Sequence, residues 1–254
     1  MRPDPAPRSA LGGAVRKGVL AARQNLVPML ALQAAMAVTV AIYYGWPAAT
    51  AVLSDYAEWQ HSGGVFAAAL ATALAGGVLS ELSLVYIQDK GRWSARHLGD
   101  MGFKFAFFFI NGSVVYEFYC RQAVWFGEGV TWSVLLPKVL VDQFIFTIVW
   151  AMPFQSLAFR WQALRFSGKR LWKEMNRAFV TERMLPVLMT NWMFWIPGTV
   201  LIYSMPTHLQ TPLFVFAIAI WGLLLPAVTR QGANRSADPA PVPPSPAILP
   251  QAAE

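Results

Sequence analysis

Unbroken apolar runs alternate with short polar segments along this chain. The runs occupy about residues 26–46, 65–87, 101–126, 132–159, 184–206 and 211–229. A helix rises ~1.5 Å per residue and a bilayer's hydrocarbon core is ~30 Å thick, so ~20 residues are needed to cross. Most of these runs reach that length. They lack the period-two alternation of a barrel strand, and backbone groups in hydrocarbon must be paired within the protein. The pattern therefore predicts an all-α fold, a multi-pass transmembrane helical bundle of about six helices and at least four. Pro197, Pro206, Pro212 and Pro226 interrupt the last two runs, which leaves a re-entrant hairpin there as the alternative.

The basic residues give the runs a direction. Arg2, Arg8, Arg16, Lys17 and Arg23 precede the first run, and Lys90, Arg92 and Arg96 follow the second. A third group lies between Arg160 and Arg183, and Arg230 and Arg235 follow the last run. The intervening segments 47–64, 127–131 and 207–210 hold no Lys or Arg and instead carry Asp55, Glu58 and Glu128. This asymmetry predicts six crossings with both termini on the basic, inner side, with four crossings as the alternative. Three domains follow: a basic inner tail over 1–25, a transmembrane helical domain over 26–229, and a disordered Pro- and Ala-rich tail over 230–254. The first tail reads as a transit peptide or as a retained tail, and the apolar run behind it is too long for a signal-peptide core.

Composition agrees with lipid as the surroundings. Of 254 residues, 56% are apolar and only 13% charged, with 11 Trp and 17 Phe, a balance away from that of soluble domains. The net charge of +7 is explained by basic residues placed where anionic headgroups meet them, so no nucleic-acid partner is expected. The expected partners are the bilayer and small solutes, with a homo-oligomer left open. Cys120 is the only cysteine, which excludes an internal disulfide or a multi-cysteine zinc site. His61, His97 and His208 form no HExxH or clustered carboxylate pattern. No nucleotide-binding loop occurs either, so the chain reads as a non-enzyme with no catalytic residues, metal or cofactor, a membrane-embedded enzyme being the less favoured alternative.

Two further patterns concern packing. In GKRLWKEMNRAFVTERML, Leu171, Trp172, Met175 and Phe179 fall at helical spacing opposite Lys169, Arg170, Lys173, Glu174 and Arg177. That predicts an amphipathic helix, lying on the inner surface or capping the bundle. In the second run, Ala69, Ala73 and Gly77 recur every four residues, as do Ala68, Thr72, Gly76 and Ser80. Such a stripe lets another backbone approach closely.

The polar residues inside the runs are the candidate functional groups. An Asp or Lys at a helix centre costs ~2.5–3.5 kcal/mol on insertion scales, so each needs a partner or water. Lys138 and Asp142 are four apart and can pair on one helical face, and Glu117 and Arg121 repeat that spacing in the better order. Glu81 has no partner within its own run. Glu81, Glu117, Lys138, Asp142 and Gln143 either line a hydrated path for small solutes or fix the bundle's register as interhelical contacts.

The segments GSVVYEFY (112–119), KVLVDQ (138–143) and NWMFW (191–195), followed by Pro206 and Trp221, resemble the Mpv-17 family, also called the 22 kDa peroxisomal membrane protein family. Its pattern reads GPxxHxWY, then KxxxDQ, then an aromatic-rich segment with a later Trp. Gly112 and Tyr119 match the first element, with Ser113, Tyr116 and Phe118 in place of its Pro, His and Trp. Lys138, Asp142 and Gln143 match the second, and Asn191, Trp195, Pro206 and Trp221 fit the third. The resemblance covers about residues 70–226. It implies a non-enzymatic multi-pass protein of the peroxisomal or mitochondrial inner membrane that forms a pore or regulates small-solute passage, with four spans usual. A bacterial plasma membrane stays open as the setting, as does a structural or assembly role.

Overall fold

The computed structural model describes Gly12, residues 26–87 and residues 89–236, and all regular structure among them is helical. In chain order the helices are α1 (Leu26–Gly45), α2 (Pro47–Ser62), α3 (Gly64–Ile87) and α4 (Ala95–Phe126). Next come α5 (Trp132–Ala163), the short α6 (Gly168–Glu174), α7 (179–203) and α8 (Thr207–Ser236). Wider π turns interrupt α3 at Leu74–Leu79 and α5 at Asp142–Ala151, and open α7 at Phe179–Met184. The predicted tails lie outside the described residues, apart from Gly12 and from 230–236, which continue α8 as helix.

Among the described residues two helices are long and apolar enough to cross a membrane, α3 and α5, and the pair α1–α2 adds a third if it counts as one broken span. Helix α4 is 32 residues long, but Arg96, Asp100, Lys104, Glu117 and Arg121 lower its mean hydropathy. The apolar stretches Val187–Tyr203 and Thr207–Leu223 are shorter. Length and composition thus support two or three crossings and do not reach six. The outer face of α5 suits lipid: Leu136, Leu140, Phe144 and Ile148 are exposed at every fourth position, while Lys138, Asp142 and Gln143 are buried.

The segment 47–64, expected as an outer loop, folds instead as α2. Pro47 occupies the first turn, where its missing N–H costs nothing and its fixed φ favours the helix. The chain bends by 109° between α1 and α2, and Ala57 and Gln60 become buried where α2 packs on its neighbours, among them α3 and α8. The predicted amphipathic helix over the basic loop is also divided. Its first part is α6, capped by the Ser167 hydroxyl. The helix stops at Met175, and the Asn176 side chain accepts the Phe179 N–H at 3.0 Å, the side-chain cap that starts a new helix. Trp172 stays exposed while Phe179 is buried.

The small-residue stripe on α3 is where α4 packs. Ala68, Ala69, Thr72 and Ala73 are fully buried, and a Cβ at Gly77 would lie 2.7 Å from the Phe105 backbone. A Cβ at Gly112 would meet Thr72 at 2.6 Å. Two helices this close gain van der Waals contact that larger residues would deny them. Gly77→Ala must push the two backbones apart, and thermal unfolding in detergent should show a loss of about 1 kcal/mol.

Candidate functional site

The face of α4 at Lys104, Phe108, Asn111, Val115 and Tyr119 does not close against its neighbours. It forms one wall of a cavity of about 580 Å³, within the ~300–1,000 Å³ usual for small-molecule sites. From Lys104 to Tyr119 the wall extends ~22 Å at the helical rise. The π turns of α5 aim Asp142, Gln143, Phe146 and Thr147 at the same space, and α7 adds Asn191, Trp195 and Thr199. On α3, Gly76 lets the Phe108 ring approach where a Cβ would lie 2.5 Å away. π turns re-aim side chains out of α-helical register, and they are frequent at functional sites.

Near the basic end of the bundle, Gln155 and Val187 in the lining are exposed; toward the other end, Tyr119, Asp142, Gln143 and Phe214 are buried. The cavity therefore opens near the basic end and is blind at the other. Its blind end is a hydrogen-bonded layer. The Tyr203 hydroxyl donates to Asp142 Oδ2 at 2.6 Å, and Gln143 Nε2 donates to Asp142 Oδ1 at 3.0 Å. Gln122 Nε2 donates to the Tyr203 hydroxyl at 2.8 Å, and Trp192 Nε1 donates to the Gln143 carbonyl at 2.9 Å. Among the described residues Gln143 Oε1 has no hydrogen-bond partner.

Lys138 and Asp142 do not pair with each other, contrary to the expectation from their spacing. Both instead use Tyr203: its hydroxyl is bound by Asp142, and its ring lies under the Lys138 ammonium, 5.9 Å from the centroid. Lys138 is buried and lies outside the cavity lining. Glu81, without a partner on its own helix, is met by Lys104 Nζ at 2.5 Å and His97 Nδ1 at 2.9 Å. Glu81 thereby ties α3 to α4, and its partner Lys104 lines the cavity. Glu117 is exposed and does not line this cavity. No ion pair joins Glu117 to Arg121, and both residues are exposed.

Of the residues that carry the family resemblance, Tyr119, Asp142, Gln143, Asn191, Trp195 and Trp221 all line this cavity. Gly112 packs against α3, and Pro206 sits in the turn from α7 to α8, where its carbonyl accepts the Leu209 N–H at 2.8 Å. Sequence reasoning did not single out Tyr203, Gln122 or Asn111. Tyr203 falls on the same α7 face as Trp195 and Thr199 by its four-residue spacing, a signal that any core tyrosine would share.

Aromatic walls dominate the cavity, with amides and hydroxyls spaced between them. Its two charged side chains are engaged: Lys104 by Glu81, and Asp142 by Tyr203 and Gln143. Bringing a free ion among apolar walls without a counter-charge costs far more than a hydrogen bond returns. The chemistry suits an uncharged solute that stacks on rings and bonds to a few polar atoms. Among the described residues no three His, Cys, Asp or Glu side chains gather where they could hold a metal ion. Comparison with family models, curated proteins and solved structures gave no match for this chain.

Proposed function

We propose that the chain is a non-enzymatic integral membrane protein that admits a small uncharged solute to its central cavity and governs that solute's passage across the bilayer. The single observation that carries this reading is the cavity itself, which runs from Lys104 near the basic end to a buried carboxylate at Asp142. Its convergence of six resemblance-bearing residues supports the same reading. A six-crossing arrangement with both termini on the basic side, in an organelle or bacterial plasma membrane, belongs to the proposal. Charge asymmetry of the loops supports it.

A second reading, structural or assembly, is favoured by one observation: Glu81, with Lys104 and His97, is spent on joining two helices. Flux separates the two. Purified protein in liposomes should release uncharged solutes graded by size, and Asp142→Asn, still folded, should change that rate several-fold. No efflux from the unsubstituted protein leaves the structural reading. Efflux indifferent to Asp142→Asn removes this carboxylate from the path.

A further inference from the structure

We propose that the solute path continues beyond the blind end of the main cavity, that Tyr119 is its barrier, and that Gln60 is the first polar group on the far side. This rests on the passage reading and adds where the path is closed. A second cavity, about 20 Å³, lies between α2, α4 and the start of α8. Tyr119 lines both cavities, so its side chain lies between them. The far cavity leads toward the end of the bundle opposite Arg160, where His61 is exposed.

Gln60 marks the far cavity as more than a packing gap. It is 1% exposed and lines that space, yet among the described residues neither its amide nitrogen nor its amide oxygen has a hydrogen-bond partner. A buried polar group without a partner is costly, and this amide leaves both a donor and an acceptor unused. The volume holds about one water molecule, enough to satisfy such a group and too little for a larger solute. Its other walls, including His208, Thr211 and Cys120, hold no Lys, Arg, Asp or Glu. The path on this side thus favours an uncharged solute that both donates and accepts hydrogen bonds, of the polyol or amide kind.

Tyr119 is suited to move. It is buried, but its hydroxyl makes no hydrogen bond among the described residues. The ring is held by edge contacts to Tyr203 at 5.4 Å and Phe214 at 6.2 Å between centroids. A rotamer change breaks no polar contact and joins the two spaces, whereas the neighbouring Tyr203 is fixed by two hydrogen bonds.

Cys120, the only cysteine, lines the far cavity and reports on the barrier. In sealed proteoliposomes of known protein orientation, a membrane-impermeant maleimide should modify Cys120 only from the face that bears His61. Asn111→Cys, placed in a Cys120→Ser chain, should react only from the face that bears Arg160. That pair leaves Tyr119 intact and so does not depend on a disruptive substitution. Tyr119→Ala should then expose Cys120 to reagent from both faces and raise efflux of an uncharged polyol several-fold. Reaction of the two thiols from the same face, or one-sided labelling of Cys120 that persists in folded Tyr119→Ala, overturns the barrier. Two-sided labelling without any polyol efflux keeps the barrier and overturns the passage reading. Polyol efflux with one-sided labelling throughout does the reverse.

Discussion

Glu81→Ala is expected to destabilise the folded protein by about 3–5 kcal/mol, the cost of removing one member of a buried ion pair. The Glu81 side chain is 2% exposed and is shared by Lys104, 20% exposed, and His97, 14% exposed. His97 Nε2 in turn lies 3.5 Å from Asp89. Without the carboxylate, a half-buried ammonium at the cavity wall keeps its desolvation cost and loses its counter-charge. The double variant Glu81→Leu with Lys104→Met removes both charges and should recover most of the loss, since apolar replacement of a whole pair is close to neutral. Denaturation in detergent micelles measures both. A loss under ~1 kcal/mol for Glu81→Ala would place the pair among exposed ones and end its role as a tie between α3 and α4.

That tie illustrates what a single chain pattern can disclose. The small-residue stripe on α3 was legible because close packing needs small side chains at a fixed period, and Ala69, Thr72, Ala73 and Gly77 are indeed buried. The partner of Glu81 was not legible, because Lys104 is 23 residues away on the next helix and helical spacing speaks only for neighbours on one helix. The helical character of 47–62 was hidden by its lack of a continuous apolar run; Pro47 and the alanines that favour it are local signals that a hydropathy reading passes over. In the basic loop the apolar period was real, but Asn176 competes for the backbone through its side chain and breaks the helix in two. The candidate site was legible in its residues and not in its shape. Asp142 and Gln143 stand out as polar groups in an apolar run, whereas the π turns that aim them inward with Phe146 and Thr147 leave no period in the sequence.

The opposite sign is expected at Lys138. Lys138→Met should stabilise the protein by about 1–2 kcal/mol, because a buried Lys costs ~2.5–3.5 kcal/mol on insertion scales and a cation–π contact returns only ~0.5–2 kcal/mol. Its ammonium lies 5.9 Å from the Tyr203 ring centroid, and Asp142, the carboxylate one turn away, is committed to Tyr203 and Gln143. Methionine keeps the unbranched shape and fills the same space. Asp142→Leu should do the reverse, since it strands the Tyr203 hydroxyl and the Gln143 amide without their shared acceptor. This asymmetry separates two arrangements that the spacing of Lys138 and Asp142 leaves equivalent. If they formed a direct ion pair, neutralising either alone would strand the other and both variants would lose stability. Joined only through Tyr203, they respond with opposite signs in the same denaturation experiment, and a Lys138→Met variant as unstable as Asp142→Leu would restore the direct pair.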